Sequence, residues 1–243
     1  MKFSIRAGVT QLVECDLAKV DVAGSNPVSR SNFRSGSSMM KLAALLFCFA
    51  LLTSAQEYKL ESISSPPPGL PAGYAAEIQT PGYRVTGPAG AWCEVWFRKT
   101  IPTGAKPADQ TVALPIAQGT LLAVLRFPKE GADRRGQVIK AGVYTLRYSN
   151  FPTDGAHQGV APQRDFALAT PIANDADPKA MPDFEKLVAQ SKTSGTAHAA
   201  VFSLEPPSGS AFPAVTKEGE HDVVLNVKAG DLPIAIIVAG KAE

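Results

Sequence analysis

The sequence predicts an all-β protein, a single β-sandwich or jelly-roll-like domain with one short capping helix. Three observations lead there. Glycine and proline, 20 of each among 243 residues, cluster at short intervals in stretches such as SPPPGLPAG, TGPAG and IPTGAKP. Between them lie short runs rich in β-branched and aromatic residues, the pattern of many strands joined by turns. Only one stretch, PDFEKLVAQSK, carries the signals of a good helix.

Taken in order, the expected strands are Tyr74 to Gln79, Trp92 to Lys99, Gln110 to Leu114, Thr120 to Phe127, Gly142 to Tyr148, Asp165 to Ala169, Ala199 to Leu204, Asp222 to Val227 and Pro233 to Val238. That many short strands without a long helix argue for packed antiparallel sheets. In the helix, Pro182 suits the first turn. Asp183 and Glu185 complement the positive helix end, and Lys186 and Lys192 lie toward the negative one. Phe184, Leu187 and Val188 form one apolar stripe, so the helix is expected to cap a sheet edge or end. SISSPPPGLPAG reads as an extended linker, which puts the linker at 56–73 and the domain at 74–243.

The run MMKLAALLFCFALLTSAQE has a short basic start at Lys41, an apolar stretch from Leu42 to Leu52 and small residues Thr53-Ser54-Ala55 before Gln56. This is the grammar of a secretory signal peptide at 39–55. Its apolar run falls short of the roughly 20 residues of a spanning helix, and no second one follows. A periplasmic or secreted product with no membrane span after cleavage is expected. Phe47 before Cys48 argues against lipidation. Upstream, GVTQLVECDLAKVDVAGSNPVSRS back-translates into transfer RNA arms, with Gly24-Ser25-Asn26-Pro27 writable as GGT TCG AAT CCG. Residues 1–38 thus resemble a mistranslated glycine transfer RNA gene, a spurious leader ahead of the true start; the alternative is a disordered extension.

The whole chain carries 24 Lys+Arg, 22 Asp+Glu and a net charge of +2. Six of the bases and three of the acids precede residue 56, so the remaining 188 residues hold 18 against 19, or −1. No nucleic-acid or anionic-membrane footprint remains. Of three cysteines only Cys93 lies beyond the signal peptide, which excludes an internal disulfide there. The oligomeric state is left open.

Strand alternation along AWCEVWFRK puts Trp92, Glu94, Trp96 and Arg98 on one face and Cys93, Val95 and Phe97 on the other. The indoles would stand roughly 13 Å apart at a rise of about 3.3 Å per residue. That spacing suits a platform for stacked sugar rings, flanked by Glu94 and Arg98; the alternative is two core tryptophans. Arg126 and Arg147 each interrupt an apolar strand, and either would orient Glu94 in a sheet-face ion pair. The polar segment NFPTDGAHQGVAPQRDF adds Arg164 and Asp165, residue types that concentrate in functional loops. It also holds Asp154 and His157, which with His198, and Glu94 or His221, would supply a zinc-type donor set. No HxH, HExxH or CxxC spacing accompanies them. GxSxG, GxGxxG and P-loop patterns are missing too.

Through GQVIKAGVYTLRYSNFPTDGAHQGVAPQRDFALATP and SGTAHAAVFSLEP, about Tyr83 to Pro206, the chain resembles a family of exported bacterial proteins of unknown function. The resemblance implies a signal peptide and a β-sandwich, and transfers no catalytic residue. The leading expectation is a non-enzymatic binder of a saccharide or envelope component, through Trp92, Glu94, Trp96, Arg98, Arg147, Arg164 and Asp165. The alternative is a metal-binding protein or metal-dependent hydrolase using Asp154, His157 and His198, with Glu94 as general base. A divalent metal is the one candidate cofactor.

Overall fold

The computed structural model describes residues 58–106, 114–151, 164–207, 209 and 211–241, all within one compact unit, Leu52–Glu243. The leader, the signal peptide and all but the last residue of the strand expected at Gln110 to Leu114 lie outside the described residues. Along the chain come β1 (Lys59–Ile63), α1 (Ala72–Glu77), β2 (Gly82–Gly87), β3 (Gly90–Phe97), β4 (Leu121–Phe127), β5 (Gly131–Ala132), β6 (Val138–Ile139) and β7 (Gly142–Asn150). Then follow β8 (Asp165–Pro171), a 3₁₀ turn (Ile172–Asn174), α2 (Phe184–Lys192), β9 (Ala200–Glu205), β10 (Ala214–Glu218), β11 (Asp222–Ala229) and β12 (Leu232–Ala239).

Ten strands make one antiparallel sheet in the order β1-β2-β3-β4-β7-β8-β9-β12-β11-β10, with β5 and β6 as a separate ribbon. The order follows the chain as far as β9, whose next neighbour is β12. This leaves β10 at the far edge, where it comes against β1. The protein is all-β as expected, and the sheet coils toward a closed barrel, the outcome that strand twist favours for so many strands.

Inside the coil, Cys93, Val95 and Phe97 of β3 meet Phe127, Tyr144, Phe202 and the aliphatic side chains of β11 and β12. The outer face is covered over the central strands as well. Trp96, Leu121 and Val124 pack beneath Tyr74 and Ile78, and Phe166, Leu168 and Val201 lie with Leu187 of α2. Strands buried on both faces read as unbroken apolar runs, which is why TLLAVLRFP shows no alternation.

Three expectations need correction. Tyr74 to Gln79 is not a strand: Ala72–Glu77 is helical, and Tyr74 and Ile78, four apart, fall on one face against Trp96. Residues 59–63, expected within the linker, pair along their whole length with β2. The helix α2 forms where expected but packs on the face of β8 rather than at a sheet edge. Asp183 is its N-cap, accepting from the Lys186 amide at 2.8 Å, so Pro182 stands just ahead of the helix. Strands β2 and β10 were not anticipated either; GYRVTG and AVTKE are short and mostly half-exposed.

Candidate functional site

The four residues expected on one face of β3 are divided by a register shift. Between Val85 and Thr86 the ladder with β3 slips by one residue, leaving Trp92 unpaired as a β-bulge. Trp92 thereby turns onto the interior core. Its ring stands edge-on to Phe127 at 5.9 Å, and its Nε1 donates to the Val238 carbonyl at 2.7 Å. Trp96 keeps the outer face but is 1 % exposed, and its Nε1 donates to the Ser65 carbonyl at 3.1 Å. Gly82 makes room for it, since a Cβ there would lie 2.3 Å from the indole Cδ1. The two indoles sit on opposite faces, and the expected stacking platform does not form.

Glu94 holds a different site together. Its side chain is nearly buried between β2 and β4, directly opposite Arg84 on one side and Arg126 on the other. Oε1 accepts from Arg84 Nε at 2.9 Å and Nη2 at 2.7 Å, while Oε2 accepts from Arg126 Nη1 at 2.7 Å. The ion pair expected for Glu94 thus forms with Arg126, not with Arg147. Glu61 on β1 lies 3.7 Å from Arg84 Nη1. Beside this trio opens a cleft of about 370 Å³ between the outer sheet face and residues 62–68, a Ser-Pro strap leading away from β1. Pro66, Pro67 and Pro68 limit the backbone freedom of the strap, so this rim is pre-set. Arg84 and Arg126 stay about one-third exposed there.

Donor accounting separates these arginines from Arg147. A guanidinium has five N–H groups. Arg147, fully buried, directs all five to protein acceptors. Nε and Nη2 take Asp175 at 2.6 and 3.0 Å, Nη2 also takes the Asp177 carbonyl at 2.6 Å, and Nη1 takes the Gly119 and Ala180 carbonyls at 2.9 and 2.6 Å. It has nothing left for a ligand, and its place in the expected binding set is corrected: Arg147 fastens residues 175–180 onto β7. Gly119 is required here, because it adopts φ +82° and a Cβ would lie 2.4 Å from the Pro182 carbonyl. Arg126, by contrast, makes one protein hydrogen bond through its five donors among the described residues.

The other expected binding residues are also committed within the fold. Asp165 is 1 % exposed and accepts from the Tyr148 hydroxyl at 2.6 Å and the Leu114 amide at 3.2 Å. Burial, then that bond to Asp165, push the Tyr148 hydroxyl well above its ordinary pKa. Arg164 reaches back to the Phe151 carbonyl. Arg98 pairs with Glu77 of α1 at 3.0 Å, away from the cleft. None of the three lines the Glu94 cleft.

Asp154 and His157 lie outside the described residues. His198 is exposed and borders a second cavity, and His221 stands 3.8 Å from Glu220. Among the described residues no group of three or more His, Cys, Asp or Glu side chains is arranged to hold a metal. Cys93 is fully buried, and burial first, then the Glu94 charge, push its thiol far above the usual range, away from nucleophilic use. Both oxygens of Glu94 are occupied by guanidinium groups, which leaves it poorly placed as a general base. No helix among the described residues is long and apolar enough to cross a membrane.

Sequence reasoning missed Arg84, because GYRVTG was not read as a strand. Its alternation, with Tyr83 and Val85 flanking an arginine, was the available signal. No family model, no curated protein and no solved structure matches this chain.

Proposed function

We propose that this is an exported, non-enzymatic binding protein whose ligand is an acidic saccharide or similar envelope component, held in the cleft between the Ser-Pro strap and β2 to β4. One observation carries the proposal: Arg126, fixed by a single bond to Glu94, presents its remaining N–H donors to a cleft of ligand size. Such a fork suits a carboxylate or a pair of neighbouring hydroxyls. Arg84 adds a second cation, and Ser62, Ser64 and Ser65 bring hydroxyl groups to the rim. The signal-peptide pattern and the sequence resemblance support export.

Calorimetric titration and thermal unfolding with uronate-containing and neutral oligosaccharides test it. An acidic sugar at about 100 times its Kd adds roughly 2.7 kcal/mol of apparent stability, and Arg126→Ala removes the effect. If acidic and neutral sugars fail equally, or if the variant binds as the wild type does, the proposal is wrong.

A further inference from the structure

A second cavity, of about 480 Å³, lies between α2 and the outer face of β8 and β9. Its origin is geometric. The nine residues of α2 span only about 14 Å at 1.5 Å per residue, and the helix packs on β8. Val201 of β9 and Ala199 just before it pack in one apolar cluster with Leu187 of α2, and both line the gap left beside the helix.

Floor and rim differ in chemistry. Phe166, Leu168 and Val201 form an apolar floor, with Phe151 stacked on Phe166 at 4.1 Å between ring centres. Among the described residues, the charged and titratable side chains lining the cavity are Arg135, Lys192 and His198, and none of the described lining residues is a carboxylate. Asp133 orients Arg135, accepting from its Nε at 3.3 Å and Nη2 at 3.0 Å, and Nη2 also reaches the Ala199 carbonyl. The Asp133 carboxylate is saturated by further bonds from the Arg135 and Gln137 amides and the Gln137 side chain. Arg135 Nη1 and the exposed Lys192 ammonium have no protein hydrogen-bond partner among the described residues.

From this juxtaposition we infer that the cavity binds an amphiphile with an acyl chain and an anionic head, the chain on the Phe166–Leu168–Val201 floor and the head between Lys192 and Arg135. The size falls in the usual range for a small-molecule site, and an apolar lining with a few convergent polar groups is the usual composition. The inference stands independently of the strap cleft, with which the cavity shares no lining residue.

The test titrates the protein calorimetrically with octanoate, decanoate and dodecanoate, and with dodecyltrimethylammonium as the cationic counterpart. Saturable binding should tighten about fourfold per methylene, from roughly 0.8 kcal/mol for each buried CH₂, and the cationic amphiphile should bind at least tenfold more weakly than dodecanoate. Lys192→Glu, at an exposed position, should weaken dodecanoate at least tenfold. Val188→Trp, which fills the cavity from the half-buried side of α2, should abolish it, with circular dichroism confirming the fold. Affinity independent of chain length, equal binding of both head groups, or an unchanged Lys192→Glu protein would overturn the inference. Arg126→Ala should leave dodecanoate binding intact, so failure here and failure at the strap cleft are told apart.

Discussion

Arg147 with Asp175 and the trio of Arg84, Glu94 and Arg126 both sit on the outer face of the sheet and both pair guanidinium groups with a carboxylate, yet they do opposite things. Around Arg147 every donor meets an acceptor, and three of the five acceptors are backbone carbonyls. Around Glu94 the acceptor is saturated while the donors are not. The difference lies in what covers each cluster. Residues 175–180 seal Arg147 from water, and a guanidinium can be sealed only when its N–H groups are all paired. The strap over Glu94 leaves a cleft, so Arg84 and Arg126 remain wet and need no full set of protein partners. A buried arginine in a strand is therefore spent on construction, and a half-buried one beside a cavity can keep donors that the fold does not use.

The most severe way to break this contrast is Arg147→Met. It strands the buried Asp175 carboxylate without its cation, and a loss of about 3 to 5 kcal/mol is expected, or roughly 10 °C in Tm for a domain of this size. Arg147→Lys should not restore stability, because a point charge cannot serve five acceptors in a planar fork. A Tm drop below about 2 °C in the methionine variant would deny Arg147 its fastening role.

Next comes Glu94→Gln, which weakens the charge-assisted bonds to both arginines and should cost about 1 to 3 kcal/mol, measured by urea unfolding. If that variant keeps wild-type stability, the two cations are positioned by something other than Glu94. Arg126→Ala sharpens the comparison from the other side: it leaves Oε2 of the nearly buried Glu94 without its partner while Arg84 still pairs the charge, so a loss of about 1 kcal/mol is expected, together with loss of acidic-sugar binding.

The smallest effect is expected from a region belonging to neither cluster. Burial, then the hydrogen bond and charge of Glu218 and the charge of Asp222, push the Glu205 carboxyl up to about 7 from 4.5. A folded-state value above the unfolded one favours folding of the protonated form. That contribution is complete below about pH 4.5 and is lost as the pH rises through about 7. Tm should therefore decline across this window, and Glu205→Gln should flatten the profile. An unchanged slope in the variant would assign the decline to other groups.

Much of the sheet was legible because its strands announce themselves. TLLAVLRFP and GVYTLRYSN are apolar runs of strand length between Gly and Pro punctuation, and PDFEKLVAQSK carries its own cap in Asp183. What was illegible depended on partners distant in sequence. KLESI is too short and polar to be a strand alone, and becomes one only because GYRVTG lies beside it with Leu60 opposite Val85. AGYAAE is helical because Tyr74 and Ile78 find Trp96.

The candidate site divides the same way. By themselves the residues announced an all-β chain, one short helix at PDFEKLVAQSK, and a glutamate on β3 facing an arginine from a neighbouring strand, since these follow from local periodicity and side-chain chemistry. Tertiary structure decided the rest. A one-residue bulge sent Trp92 inward and left Trp96 outward, residues 175–180 closed over Arg147, and the strap stopped short of closing over Arg126. Local pattern specifies which side chains a strand presents, but burial and donor satisfaction depend on what packs across them, and that is settled only when segments far apart in the chain meet.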